Sequence, residues 1–245
     1  MEKENNIRGI LLDYGGTIDT NGIHWAEVLW TAYCDTGVPV EKPAFRDAYR
    51  QGERTLALQP VIQPEFNFYD VLIAKTGIQL HDLAEKGYLP AAFDISANSE
   101  RISRICYEQV CRTVKKSATI LEWLSQSCPL VLVTNFYGNI RTVLNDLHIA
   151  QYFTDVIESA VVGVRKPDPA IFSLGVRSLG FDAAHVMAVG DSYTKDIAPA
   201  KKAGCQTVWL KGKEWEETPD TGKADVIIDC FEELLNIISC EKLSS

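Results

Sequence analysis

The run Ile10-Leu11-Leu12-Asp13-Tyr14-Gly15-Gly16-Thr17 is the feature that most constrains this chain. Three apolar residues end on an aspartate, and paired glycines follow at once. That pattern predicts a short buried strand whose carboxyl end carries a carboxylate on a tight turn. Ligands of open α/β sheets bind at the carboxyl ends of the strands, so Asp13 stands where chemistry is placed. Glycines at this point let the backbone approach a ligand closely. A single aspartate ending a strand is more often a turn or capping residue, because its side chain bonds its own following backbone. The meaning of Asp13 therefore depends on the rest of the chain.

After Thr17 the strand-like pattern stops for about ninety residues. Helical spacing marks His24 to Thr36, Phe45 to Leu58, Phe66 to Lys75 and Ser99 to Val114, with breaks at Pro43, Pro60, Pro64, Gly77 and Pro90. From Ser117 strands and helices alternate. Strands are expected at Pro129–Thr134, Asp155–Glu158, His185–Val189, Gln206–Leu210 and Asp225–Ile228. Helices are expected at Ile120–Ser125, Ile140–Leu147, Pro169–Leu179, Ile197–Ala203 and Phe231–Ile238. This order implies a parallel sheet with right-handed crossovers. The expected fold is α/β, a Rossmann-like parallel sheet core over 1–19 and 113–245 with an inserted α-helical cap over 20–112. The cap leaves the sheet at its ligand-binding edge, so it is placed as a lid. Lys211 to Lys223 is polar and reads as a surface loop.

The formal charge of −9 argues against nucleic acid or an anionic membrane as partner. It also means that an anionic substrate needs local positive charge from lysine, metal or backbone amides. The seven cysteines are odd in number and form no CxxC pair, and the four histidines show no zinc-like spacing with them. Reduced thiols fit this, and with them a cytoplasmic setting. Met1 to Asn6 is polar, the apolar run after it is too short for a signal peptide, and nothing approaches the ~18 apolar residues of a membrane span. A monomer or a homodimer is expected.

Four segments end or follow a strand with a polar residue: Asp13; Thr134-Asn135; Lys166 within Gly163-Val164-Arg165-Lys166-Pro167; and Gly190-Asp191 through Asp196. In a parallel sheet all four converge on one edge. A carboxylate nucleophile, a hydroxyl, a lysine and a second acidic pair are the parts that hold a phosphoryl group beside Mg²⁺. Each has a plainer reading alone: a strand-end turn for Thr134-Asn135, a helix entry for Lys166, a first-turn acid for Asp196. Together, in this order, they resemble the haloacid dehalogenase superfamily across nearly the whole chain. The resemblance implies that Asp13 attacks phosphorus to give an aspartyl-phosphate. It also implies that Gly16, Thr134, Asn135 and Lys166 bind the phosphoryl group. The metal would be held by Asp13, the Gly15 carbonyl, Asp191 and Asp196, the last serving the metal or the lysine.

One position departs from the pattern. Phosphatases of this family carry a second aspartate two residues after the nucleophile, as acid and base. Here that residue is Gly15, which keeps a backbone carbonyl for the metal but offers no proton. Such help is typically worth roughly 10²–10⁴-fold, and most for poor leaving groups. Three readings stay open. The chain is a hydrolase of a small phosphorylated metabolite in which Asp19, Tyr14, His24 or water fills the gap, or which is restricted to good leaving groups. It is a phosphonate hydrolase with a cap lysine (Lys42, Lys75 or Lys86) as Schiff base. Or it is a phosphate- and metal-binding regulatory protein without efficient turnover. In the cap, Arg46, Arg50 and Arg54 share one helix face that is solvated or, if turned to the cleft, selects an anion. Trp25 and Trp30 read as packing residues.

Overall fold

A computed structural model describes residues 7–213 and 224–242, and the side chains up to Ile238. Residues 214–223 of the expected polar loop lie outside these. Six strands form one parallel sheet: β1 (Gly9–Leu12), β2 (Leu130–Thr134), β3 (Asp155–Glu158), β4 (Val186–Gly190), β5 (Gln206–Leu210) and β6 (Val226–Ile228). Their spatial order is β3-β2-β1-β4-β5-β6. Leu12 pairs with Leu132 on one side and Val189 on the other, so the ends of β1, β2 and β4 are level. The chain winds outward in both directions from β1, which makes the crevice at β1 and β4 the switch point of the fold.

Nine helices complete the described residues: α1 (Trp25–Asp35), α2 (Lys42–Leu58), α3 (Phe68–Glu85), α4 (Ile95–Ser127), α5 (Ile140–Asp146), α6 (Ser159–Val162), α7 (Pro169–Leu179), α8 (Ala198–Lys202) and α9 (Leu234–Lys242). A parallel sheet is covered on both faces, and its strands are apolar throughout. Ile10, Leu12, Leu130, Leu132, Met187 and Val189 face one core, shared with α4 and α9. Leu11, Val131, Val133, Val186 and Ala188 face the other, against α7 and α8. The alternation along each strand divides the two cores.

Two expected helix breaks are absent. Ser99–Val114 and Ile120–Ser125 are parts of one helix, α4, of 33 residues and about 50 Å. Lys115 and Lys116 interrupt hydrophobicity but not periodicity, since Val114, Ser117, Ile120, Leu121 and Leu124 remain on the buried side. Residue 113, the expected start of the second core segment, falls inside this helix. Likewise α3 runs through Gly77 to Glu85. Beside that glycine, the Thr76 hydroxyl lies 2.7 Å from Ser99 Oγ and 3.0 Å from Ser103 Oγ, so small polar residues join α3 to α4. Helix α4 also reaches the loop after β1, because the Ser117 hydroxyl donates to the Ile18 carbonyl at 2.8 Å.

Helix α1 is capped by the preceding His24, whose Nδ1 accepts from the Ala26 N–H at 3.1 Å. The cap requires an unprotonated ring nitrogen. Burial, reinforced by Lys195, lowers the His24 pKa from 6.5 to about 4. A lowered folded-state value means that its stability contribution is complete above pH 6.5 and is lost as pH falls through 4. His24→Asn keeps a capping oxygen without the titration. Denaturant titrations across this interval are expected to show a smaller loss of stability for the variant than for the wild type.

Candidate active site

The alternation that buries β1 leaves Asp13 just past its end, with its N–H bonded to the Val189 carbonyl at 3.0 Å. Lys166 comes from the segment between α6 and α7. Its Nζ lies 2.6 Å from Asp13 Oδ1 and 2.6 Å from Asp196 Oδ1, and its side chain is 2% exposed. Asp196 Oδ2 accepts the Ser192 N–H at 3.0 Å, which fixes the loop after β4. The Thr17 hydroxyl donates to Asp13 Oδ2 at 3.3 Å, with Asp191 Oδ1 3.4 Å away. Oxygens of Asp13, Asp191 and Asp196 lie within 4.8 Å of one another.

Three carboxylates thus share one lysine. Burial raises Asp13 to about 6, with Lys166 opposing and Asp196 adding to the rise. Burial, then the charges of Asp13 and Asp196, raise Asp191 well above the usual carboxylate range. Burial alone would lower Lys166, but Asp13 and Asp196 outweigh it and hold the ammonium charged. The donor set suits a hard divalent cation, which prefers carboxylate oxygens and relieves their repulsion.

The glycines that follow Asp13 have different reasons to be glycine. Gly16 has φ +95°, and a Cβ there would lie 2.3 Å from Asp191 Oδ2. Gly15 has φ −77° and ψ 117°, a conformation open to any residue. Its Cβ would meet only the Trp25 indole, at 3.9 Å. The backbone therefore does not require a glycine at 15.

Above the carboxylates lies a cleft of about 1150 Å³, lined by Asp13, Gly15, Gly16, Thr134, Asn135, Lys166, Asp191 and Asp196 together with cap residues. Every expected site residue is brought to it. Asn135 has a more specific task than sequence suggests. Its side-chain amide donates to the Lys166 carbonyl at 3.0 Å and accepts the Lys166 N–H at 2.9 Å, so it holds the lysine's backbone.

The three residues considered as replacements for the acid divide. Tyr14 is fully buried between Phe68 and Phe136, as expected of packing. His24 caps α1. Asp19 is fully buried and reaches the cleft, with Oδ1 accepting the Gly16 N–H at 2.7 Å and Oδ2 the Trp25 indole N–H at 2.8 Å. Trp25 is therefore a wall of the site rather than a packing residue alone, whereas Trp30 packs on Phe45. Arg50 reaches the cleft but is exposed, as is Arg54; the cleft side of α2 carries Tyr49, Glu53 and Leu56 instead. Glu53 pairs with Lys75 at 2.7 Å. Of the three cap lysines, Lys42 pairs with Glu27 and Lys86 with Asp82, so Lys75 alone of these lines the cleft. Sequence reasoning missed Glu53. Its signal was a charge on the apolar stripe of α2, four residues after Tyr49 and three before Leu56.

Residues 7–204 match the family model of haloacid dehalogenase-like hydrolases. The chain belongs to that family. It is 34% identical over 246 residues to a phosphoglycolate phosphatase of Yersinia pseudotuberculosis, covering 99% of this chain and 98% of the relative. A phosphoglycolate phosphatase of Pectobacterium atrosepticum is 29% identical over 245 residues, covering 97% and 95%. The fold is similar to the haloacid dehalogenase-like hydrolase YfnB of Bacillus subtilis, with TM-score 0.61, 21% identity and coverage of 95% and 99%. Like these relatives, this haloacid dehalogenase-like protein is a hydrolase of the phosphatase type. No helix among the described residues is long and apolar enough to cross a membrane.

Two outcomes follow for this family member. Gly16→Ala is expected to displace Asp191 and reduce turnover by about 10²-fold or more, since displacements near 1 Å have that effect on reacting groups. Raised folded-state carboxylate values mean that stability from these groups is lost as pH rises above the ordinary carboxylate range. Asp191→Asn is therefore expected to stabilise the metal-free protein at neutral pH, read by urea unfolding. Added Mg²⁺ is expected to stabilise the wild type and to stabilise this variant less.

Proposed function

We propose that the protein is a Mg²⁺-dependent hydrolase of a small phosphorylated metabolite, acting through a phosphorylated Asp13. The observation that carries this reading is Asp13 at the end of β1, its Oδ1 held 2.6 Å from the buried Lys166 ammonium. Its Oδ2, held more weakly by Thr17, is the oxygen with freedom to attack. Attack forms an Asp13 O–P bond as the leaving oxygen departs with the pair of its P–O bond. Water then takes the phosphoryl group from Asp13, whose carboxylate leaves without needing a proton. Thr134 supplies a donor to the phosphoryl oxygens and Lys166 offsets their charge, whereas the Gly16 N–H is taken by Asp19. Asp13, Asp191, Asp196 and the Gly15 carbonyl would hold the Mg²⁺. Bound there, the ion would neutralise charge between carboxylates and phosphate.

The absence of a side chain at Gly15 restricts the first step, because nothing at that position protonates the leaving group. Burial raises Asp19 to about 7, so among the described residues it is the one remaining carboxyl that could carry a proton near the cleft, but it is committed to holding the loop and Trp25 through the Gly16 N–H and the indole N–H. Substrates whose leaving oxygen is weakly basic are therefore favoured. The phosphonate reading has less support: Glu53 holds Lys75 well above its ordinary pKa, and a protonated amine does not add to a carbonyl.

Phosphate release from acetyl phosphate and from 2-phosphoglycolate, with and without Mg²⁺, tests the proposal. The wild type is expected to turn over acetyl phosphate only with the metal, and Asp13→Asn is expected to show no release above the uncatalysed rate. Release that persists in Asp13→Asn, or that ignores Mg²⁺, would refute it.

A further inference from the structure

The side of the nucleophile left open by Gly15 is bounded by aromatic rings. Trp25 faces it directly, with indole Cδ1 and Nε1 each 3.9 Å from where a Gly15 Cβ would lie. The ring is fixed there by the Asp19 carboxylate, which also holds the Gly16 N–H, so indole and nucleophile loop share one clamp. Phe68 meets Trp25 edge-on with centroids 5.4 Å apart. Lys75 Nζ stands 5.9 Å from the Trp25 ring centroid and 5.7 Å from that of Tyr137, which places both rings about one compartment. The Tyr137 hydroxyl donates to Glu53 Oε2 at 3.4 Å, and Glu53 holds the ammonium at 2.7 Å.

The pair is only partly buried, with Lys75 at 10% and Glu53 at 37% side-chain exposure, so it stands outside the packed interior of the cap. It sits in a cleft wall, with the ammonium directed at π faces. A phosphoglycolate-sized molecule would leave most of a cleft of about 1150 Å³ unfilled. A planar ring fills such a compartment by offset or edge contacts with Trp25 and Tyr137, and an electron-rich one offers the ammonium a further π face.

Resting on the hydrolase reading above, we propose that the substrate is a phosphate monoester of an aromatic hydroxyl, and that Trp25, Tyr137 and Lys75 form its leaving-group subsite. The missing acid and the aromatic wall then have one explanation. As the Asp13 O–P bond forms, the P–O(aryl) bond breaks and its electron pair stays on oxygen as an aryloxide. That anion is stabilised by its ring and takes its proton afterwards from water. The second step returns Asp13 and releases phosphate, with no oxidant or further reactant.

Leaving-group basicity must be separated from recognition of the ring. The Mg²⁺-loaded enzyme is assayed on phenyl phosphate and on a fluoroalkyl phosphate whose alkoxide is about as weakly basic as phenoxide but carries no ring. Acetyl phosphate serves as the control for hydrolase activity. The expected result is a kcat/KM for phenyl phosphate about tenfold or more above that of the fluoroalkyl ester, expressed mainly in KM, as ring contacts of ordinary strength allow. Trp25→Leu and, independently, Tyr137→Leu are expected to narrow that ratio toward one. The Tyr137 variant guards against a Trp25 change that loosens the Asp19 clamp. Equal kcat/KM for the two esters, or a ratio that neither variant changes, would overturn the subsite while acetyl phosphate turnover left the hydrolase reading intact. Loss of turnover on all three substrates would overturn both.

Discussion

The arrangement depends on a single ammonium. Lys166 is the buried positive charge between Asp13 and Asp196, at 2.6 Å from each, and Asp191 adds a third carboxylate within reach of the same oxygens. Burial of three acids against one base is unfavourable in the protein alone, which is why Asp13 and Asp191 hold their protons more tightly than usual. Such a cluster is a store of electrostatic strain that a divalent cation relieves. Cation binding and protonation would thus be competing solutions to one problem, and occupancy of such a site would be linked to pH through these carboxylates.

The scaffold makes this crowding possible. Winding outward from β1 puts β2 and β4 on either side of it, so Thr134, Asp13 and the Asp191 loop emerge level with one another. Asn135 then fixes the Lys166 backbone from β2's end, and Ser192 fixes Asp196 from β4's. Asn135 need not touch a substrate for its side chain's loss to matter, because it sets where the lysine lies, whereas the Ser192 contact is a backbone N–H that other residues also supply. Gly16 belongs to the same category, since its left-handed backbone is what lets Asp191 approach.

Most of the sheet was legible in the sequence because its strands are short apolar runs that stop at glycine or a polar residue. The pattern is local, and so is the rule that places ligands at the carboxyl ends. The helical cap was less legible for the same reason. Lys115-Lys116 resembles an interruption of α4 until the buried positions on both sides are seen to keep one phase. Gly77 resembles a stop until Ser99 and Ser103 supply the partners that carry α3 past it. The roles of Trp25, Glu53 and Lys75 were hidden because each depends on a residue outside its own helix. Trp25 is turned toward the nucleophile by Asp19, and Lys75 is directed at the cleft by Glu53 from another helix. No periodicity within α1 or α3 contains that information.

Cap and core are joined more closely than an insertion after the first strand requires. Ser117 of α4 bonds the Ile18 carbonyl, and Asp19 bonds both the Gly16 amide and the first residue of α1. The loop that follows Asp13 is thus also the loop from which the cap is oriented. A cap residue placed by that loop keeps its position relative to Asp13 with little accumulated error, as a rigid site requires. Asp19 holds the Trp25 ring and the Gly16 amide together, and the subsite proposed above depends on that fixed relation between the ring and Asp13.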